Sequence, residues 1–302
     1  MDTRRLVSTT SLLAVVEERS MKAFGLTLRI AGATLALLAL QALWGHVWAV
    51  APFSRELGLS ALSGLLVILA LSLVVASSSQ QGWALSGTLF ILYFGINCLG
   101  PLDETLIFKI GPKAHEVFRL MGSGFCVALI FAPLLVLILG YWKATEQEEK
   151  KPLVSRSAAG WVARIVLGDL FYILCYLIAG VATLPFVKVF YAGISLPRPA
   201  SILGMEAFRG LVYVAAGLAV TSGMKGKRGR AAATLGLAFP ILAGVAPLLA
   251  HISYLPGYVR LAHGFEIGVS NLAYGAGLGH LLTLQAVPMI DTPQADNAES
   301  PF

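Results

Sequence analysis

The chain has 302 residues, of which 57% are hydrophobic and only 13% charged, with a net charge of +6. An ordinary soluble domain carries about 25% charged residues and has no use for so much apolar surface. That excludes a soluble enzyme or a nucleic-acid-binding domain. It leaves an all-α polytopic membrane protein, because within a bilayer only helices or closed barrels satisfy every backbone group.

Residues 1–25 form a cytoplasmic segment, and the mixed apolar and charged run 11–24 predicts a short helix lying on the inner membrane surface. Eight apolar runs follow, at 28–50, 60–77, 84–100, 120–142, 162–185, 208–223, 232–251 and 264–287. Each approaches the roughly 20 residues needed to cross the hydrocarbon core. Four lie in a first unit, 26–142, and four in a second, 161–287, joined by a charge-rich linker at 143–160 and followed by a cytoplasmic tail from 288. Ala49-Val50-Ala51 mimics a signal-peptide cleavage site, but the long polar lead and Pro52 oppose cleavage, so the first span is read as uncleaved. Alternate segments hold 14 of the 22 basic residues, among them Arg4, Arg5, Lys150, Lys151 and the cluster Lys225, Lys227, Arg228 and Arg230. The positive-inside rule then places both termini in the cytoplasm, in a bacterial inner membrane. Trp83, Trp142 and Trp161 fall at the predicted inner ends and Trp44 and Trp48 near an outer one, as aromatic belts do.

The two units resemble each other. Displaced by 146 residues, Leu57-Gly58 falls on Leu203-Gly204, Gly64-Leu65 on Gly210-Leu211, Thr88-Leu89 on Thr234-Leu235 and Pro101-Leu102 on Pro247-Leu248. A repeat of four spans returns the chain to its starting side, so the two copies would be parallel. In the seventh span Pro240, Gly244 and Pro247 predict a bent or broken helix.

The eighth span carries two faces. Gly264, Gly268, Gly275 and Gly279 form a small-residue seam that admits another helix closely, either in this chain or in a partner of a homo- or hetero-oligomer. His263, Glu266, Ser270 and Tyr274 form a polar stripe. An ionisable residue in a span is costly, and Glu266 reads either as a proton or cation ligand or as the ion-pair partner of Arg260 or Arg209. His46, His115, His251, Asn97, Asp103, Glu104 and Glu206 join these at the outer side as one polar layer. Nearer the cytoplasm, Asp169 and His280 reach equal depths and predict a relay or a clamp, with Tyr172 and Tyr176 on the face of Asp169.

Three functions fit these residues. A polar path through His263, Glu266, Ser270, Tyr274, Arg209, Arg260, Asp169 and His280 suits transport or binding of a small solute or lipid. A membrane-embedded enzyme or haem or metal redox protein needs the outer histidines to meet, with His46, His251, His263 and Glu266 as the candidate ligands. Acyl or peptidyl transfer at Cys126, Arg209 and His263 would be the corresponding nucleophilic chemistry. The third is an assembly subunit built on the glycine seam. Eight spans in two parallel bundles, with histidines near the outer ends, resemble the layout of the haem A synthases. The Glu-x-x-His-x-Arg run of that family is absent here, so none of its residues is carried over. No cofactor is named by any motif, and no ATP-binding P-loop is present.

Overall fold

The computed structural model describes residues 3–50, 57–143, 157–224, 228–250 and 255–284, with the side chains of 3–20, 22, 228 and 250 left aside. Among the described residues the protein is all-α, with eight long helices: α1 (Thr3–Val47), α2 (Leu57–Ser77), α3 (Gly82–Phe108), α4 (Ala114–Leu139), α5 (Ala158–Tyr191), α6 (Pro199–Ser222), α7 (Gly229–Leu249) and α8 (Gly257–Thr283). Seven of these are long and apolar enough to cross a membrane, which makes the chain a multi-pass protein at home in a lipid bilayer. The expectation of eight apolar spans is corrected at α8, whose glycines and polar stripe lower its hydropathy. It nevertheless packs along α7 and α5 as a full member of the bundle. The separate surface helix expected over 11–24 is instead a continuous part of α1. His251, most of the 143–160 linker, the tail from 288 and most of the basic residues of the loops lie outside the described residues.

Local signals set the helix ends. Ser157 caps α5 by accepting from the Gly160 amide at 3.1 Å. Pro199 opens α6, where a missing donor is tolerated. Lys109 adopts the left-handed conformation that ends α3, and the backbone N–H of Lys113 donates to Glu116 at 2.7 Å as α4 begins. The chain thus turns back at each connection, giving one end with loops α1–α2, α3–α4, α5–α6 and α7–α8, here the distal end. The opposite end, with the start of α1 and the basic loops, is the basic end.

Packing in the two halves corresponds. α4 packs on α1 and α3 as α8 packs on α5 and α7, and α2 crosses to α7 as α6 crosses to α3. Both α3 and α7 contain a π-helical stretch, Ile91–Leu99 and Ile241–Val245, ending at residues 146 positions apart. Pro101 and Pro247, also 146 apart, follow these stretches and have no N–H to give, so the wider turn accommodates a donor lost from the ladder. Carbonyls there turn to partners elsewhere. The Ser63 hydroxyl donates to the Ala246 carbonyl at 2.7 Å, and the Arg209 guanidinium donates to the Gly100 carbonyl. Ser63 and Arg209 are 146 positions apart, as are Gly100 and Ala246.

The Asn97 amide donates to the Leu242 carbonyl at 2.9 Å, tying the two π stretches together. Asn97→Leu should therefore cost about 1–3 kcal/mol, because it leaves a carbonyl without its donor in a dry interior. Thermal unfolding in detergent checks this, and an unchanged midpoint would mean that the carbonyl has another donor.

The apolar core runs through Leu71, Leu85, Leu89, Leu92, Phe131 and Leu135 in the first half and Leu235, Phe239 and Leu278 in the second. α1 and α5 are the least covered helices and turn large apolar side chains outward, Leu35, Val181, Phe186 and Val189 among them.

Candidate functional site

Arg209 organises the centre of the second half. It sits about 15 Å along α6 from Pro199 and reaches toward the distal turns of α3. Its Nε and Nη2 donate to Asp103 Oδ1 at 2.8 and 2.6 Å. Nη2 also reaches Glu104 Oε2 at 3.3 Å and Nη1 reaches Glu206 Oε1 at 3.3 Å. Glu206 is 0% exposed and Arg209 8%. Such burial is tolerable only because guanidinium and carboxylates share hydrogen bonds in good geometry. Asp103 Oδ2 and Glu206 Oε2 remain buried without a hydrogen-bond partner.

A second string of polar groups runs toward the distal end. His263 Nδ1 lies 2.9 Å from Glu266 Oε2, one turn on in α8, and His263 Nε2 lies 3.1 Å from the Tyr191 hydroxyl at the end of α5. With Glu266 ionised, Nδ1 of a neutral imidazole must donate to it, so Nε2 accepts from Tyr191. The other Glu266 oxygen faces Gly180 of α5, where a β-carbon would stand 3.5 Å away.

Both constellations open on one cavity of about 310 Å³. Its walls come from α3 and α5–α8, and Glu104, Arg209, His263 and Glu266 are its acidic and basic side chains. Three tyrosines form its floor: Tyr172 and Tyr213 have ring centroids 4.9 Å apart, and Tyr274 stands 5.1 and 5.8 Å from them. Tyr274 and Asn271 line the cavity, yet the Tyr274 hydroxyl and Asn271 Oδ1 are buried without a hydrogen-bond partner. Below the floor, Val214, Leu278 and Leu282 close the bundle toward the basic end.

The sequence-derived candidates divide. His263, Glu266, Ser270, Tyr274 and Arg209 meet in the cavity. Glu266 pairs with His263, whereas Arg209 is taken by Asp103, Glu104 and Glu206. Arg260 is half-buried and does not line the cavity. Asp169 lies beside Gly210 with one oxygen unpartnered, while His280 is exposed, and no hydrogen bond or ion pair joins them. His46 and His115 are exposed and away from the cavity. Among the described residues no three His, Cys, Asp or Glu groups come together as a metal site needs. Cys126 lies on α4 and does not meet Arg209 and His263 in the cavity.

Part of the glycine seam of α8 is occupied within the chain, at Gly275 and Gly279. A β-carbon at Gly275 would stand 2.5 Å from the Leu235 carbonyl oxygen, and one at Gly279 would stand 2.6 Å from the Ala232 nitrogen, both on α7. At these two positions α7 fills the approach that the missing side chains create, whereas Gly268 on the same face meets nothing within 4 Å.

Tyr191, Tyr213 and Thr183 were not legible as site residues in the sequence. A signal existed on α5, where Tyr172, Tyr176, Gly180, Thr183, Val187 and Tyr191 recur every three or four residues and all line the cavity. For Tyr213 there was none, since aromatic residues in a span are commonly packing groups. Comparison with protein-family models, with curated proteins and with solved structures gives no match.

Proposed function

We propose that the protein binds a small solute in the α5–α8 cavity and carries it across a bacterial cytoplasmic membrane. The observation that carries this reading is the convergence of the Arg209 cluster and the Glu266–His263–Tyr191 string on one cavity of solute size. The solute enters from the distal end, and the tyrosine floor separates it from the basic end. Both termini are taken as cytoplasmic, which the excess of basic residues on their side supports.

The same reading treats 26–142 and 161–287 as parallel copies of one four-helix unit, supported by the corresponding contacts and π stretches. Apart from Glu104 and Thr105 of α3, the polar groups at the cavity come from the second copy. Thr183, Arg209, Tyr213, His263, Glu266 and Tyr274 correspond to Leu37, Ser63, Val67, Val117, Leu120 and Ala128. The first copy is then mainly a scaffold whose own core is closed by apolar side chains, and the second carries most of the site, completed by Asp103 and Glu104 of α3.

A thermal-shift screen of polar metabolites in mild detergent tests this. A true ligand at a hundredfold excess over its Kd should stabilise the protein by about 2.7 kcal/mol. Ser270→Trp fills the cavity and should abolish that shift. A shift that survives in Ser270→Trp would move the site elsewhere and remove the basis of the proposal.

A further inference from the structure

Glu104 and Glu266 line the cavity from α3 and α8, while Asp103 and Glu206, which do not line it, hold Arg209. The acidic groups of the wall thus face the cavity with its guanidinium already engaged, and a positive guest can share hydrogen bonds with their carboxylates. An anion has little to bind, because all three nitrogens of Arg209 already donate to Asp103, Glu104, Glu206 or the Gly100 carbonyl.

Two independent features point the same way. The cavity is lined by Tyr172, Tyr176, Tyr191, Tyr213 and Tyr274, and aromatic faces attract cations. Asn271 Oδ1 and the Tyr274 hydroxyl, both more than nine-tenths buried, are unpartnered acceptors in its wall. Building on the solute-binding reading above, we propose that the guest is a small organic cation. An ammonium group is held by Glu104 and Glu266, and its apolar body rests on the tyrosines.

Cys175 lines the same cavity and allows a direct test. In the intact protein carrying Cys98→Ala and Cys126→Ala, Cys175 is the sole thiol. It is labelled with methanethiosulfonates that are neutral (methyl), cationic (trimethylammonium-ethyl) or anionic (sulfonato-ethyl). Each rate is normalised to that of a free thiol, and Ser270→Cys in a Cys175→Ala background provides a second reporter. The expected result is a cationic rate exceeding the anionic one on the order of tenfold or more, as a field focused in a cleft produces. Glu104→Gln with Glu266→Gln should collapse this preference while neutral labelling persists. Equal cationic and anionic rates with good neutral labelling overturn the cation assignment and leave the cavity reading standing. Failure of the neutral reagent at both reporters overturns the solute cavity and the cation assignment together.

Discussion

Arg209→Leu should be the most damaging single substitution at the site, lowering stability by about 3–5 kcal/mol. The guanidinium is the common partner of Asp103, Glu104 and Glu206, and Glu206 is completely buried. Its loss leaves carboxylates packed together without a counter-charge, and it frees the Gly100 carbonyl as well. The penalty belongs to the abandoned partners more than to the lost attraction. Arg209→Leu combined with Glu206→Leu should therefore recover part of the loss, and the two changes should be non-additive. Arg209→Lys should recover little, because an ammonium cannot span Asp103 and Glu206 with the fork of donors used here. Unfolding of the purified protein in detergent reads all three. If Arg209→Leu melts like the wild type, the carboxyl groups around it are carried neutral and the charge account fails.

The second large effect lies on α8. Gly275→Ala and Gly279→Ala should each disrupt the α7–α8 contact, because the added carbon meets α7 backbone that no side-chain rotation can move aside. The helices must separate, and the tyrosine floor shifts with them, since Phe239 of α7 packs on Tyr213 and Tyr274. Yield of folded monodisperse protein should fall sharply for both. Gly268→Ala, on the same face of the same helix, meets nothing within 4 Å and should behave as the wild type. Equal damage from all three substitutions would mean that helix flexibility, and not close approach, is what the glycines supply.

That contrast shows what a sequence can and cannot tell about such a helix. Spacing puts Gly264, Gly268, Gly275 and Gly279 on one face but says nothing of which neighbour arrives or how deep the crossing lies. The same limit applied to the charges. Asp103, Glu104, Glu206 and Arg209 were legible as polar groups near one end of the bundle. Their convergence depends on α6 crossing to α3 in the other half of the chain. His263 and Glu266 were legible as neighbours because they share a helix three residues apart. Asp169 and His280 were matched only by depth, and depth does not fix azimuth: Asp169 faces Gly210 while His280 turns outward.

Apolar run lengths and the low charge content were enough to determine a helical multi-pass architecture, because lipid imposes one rule on every spanning segment irrespective of its neighbours. The π stretches before Pro101 and Pro247, the close approach of α7 to Gly275 and Gly279 and the cavity beside Arg209 were decided by tertiary packing. Each depends on which helix faces which, and that choice rests on many small contacts between residues far apart in the chain. No local pattern of residues encodes it.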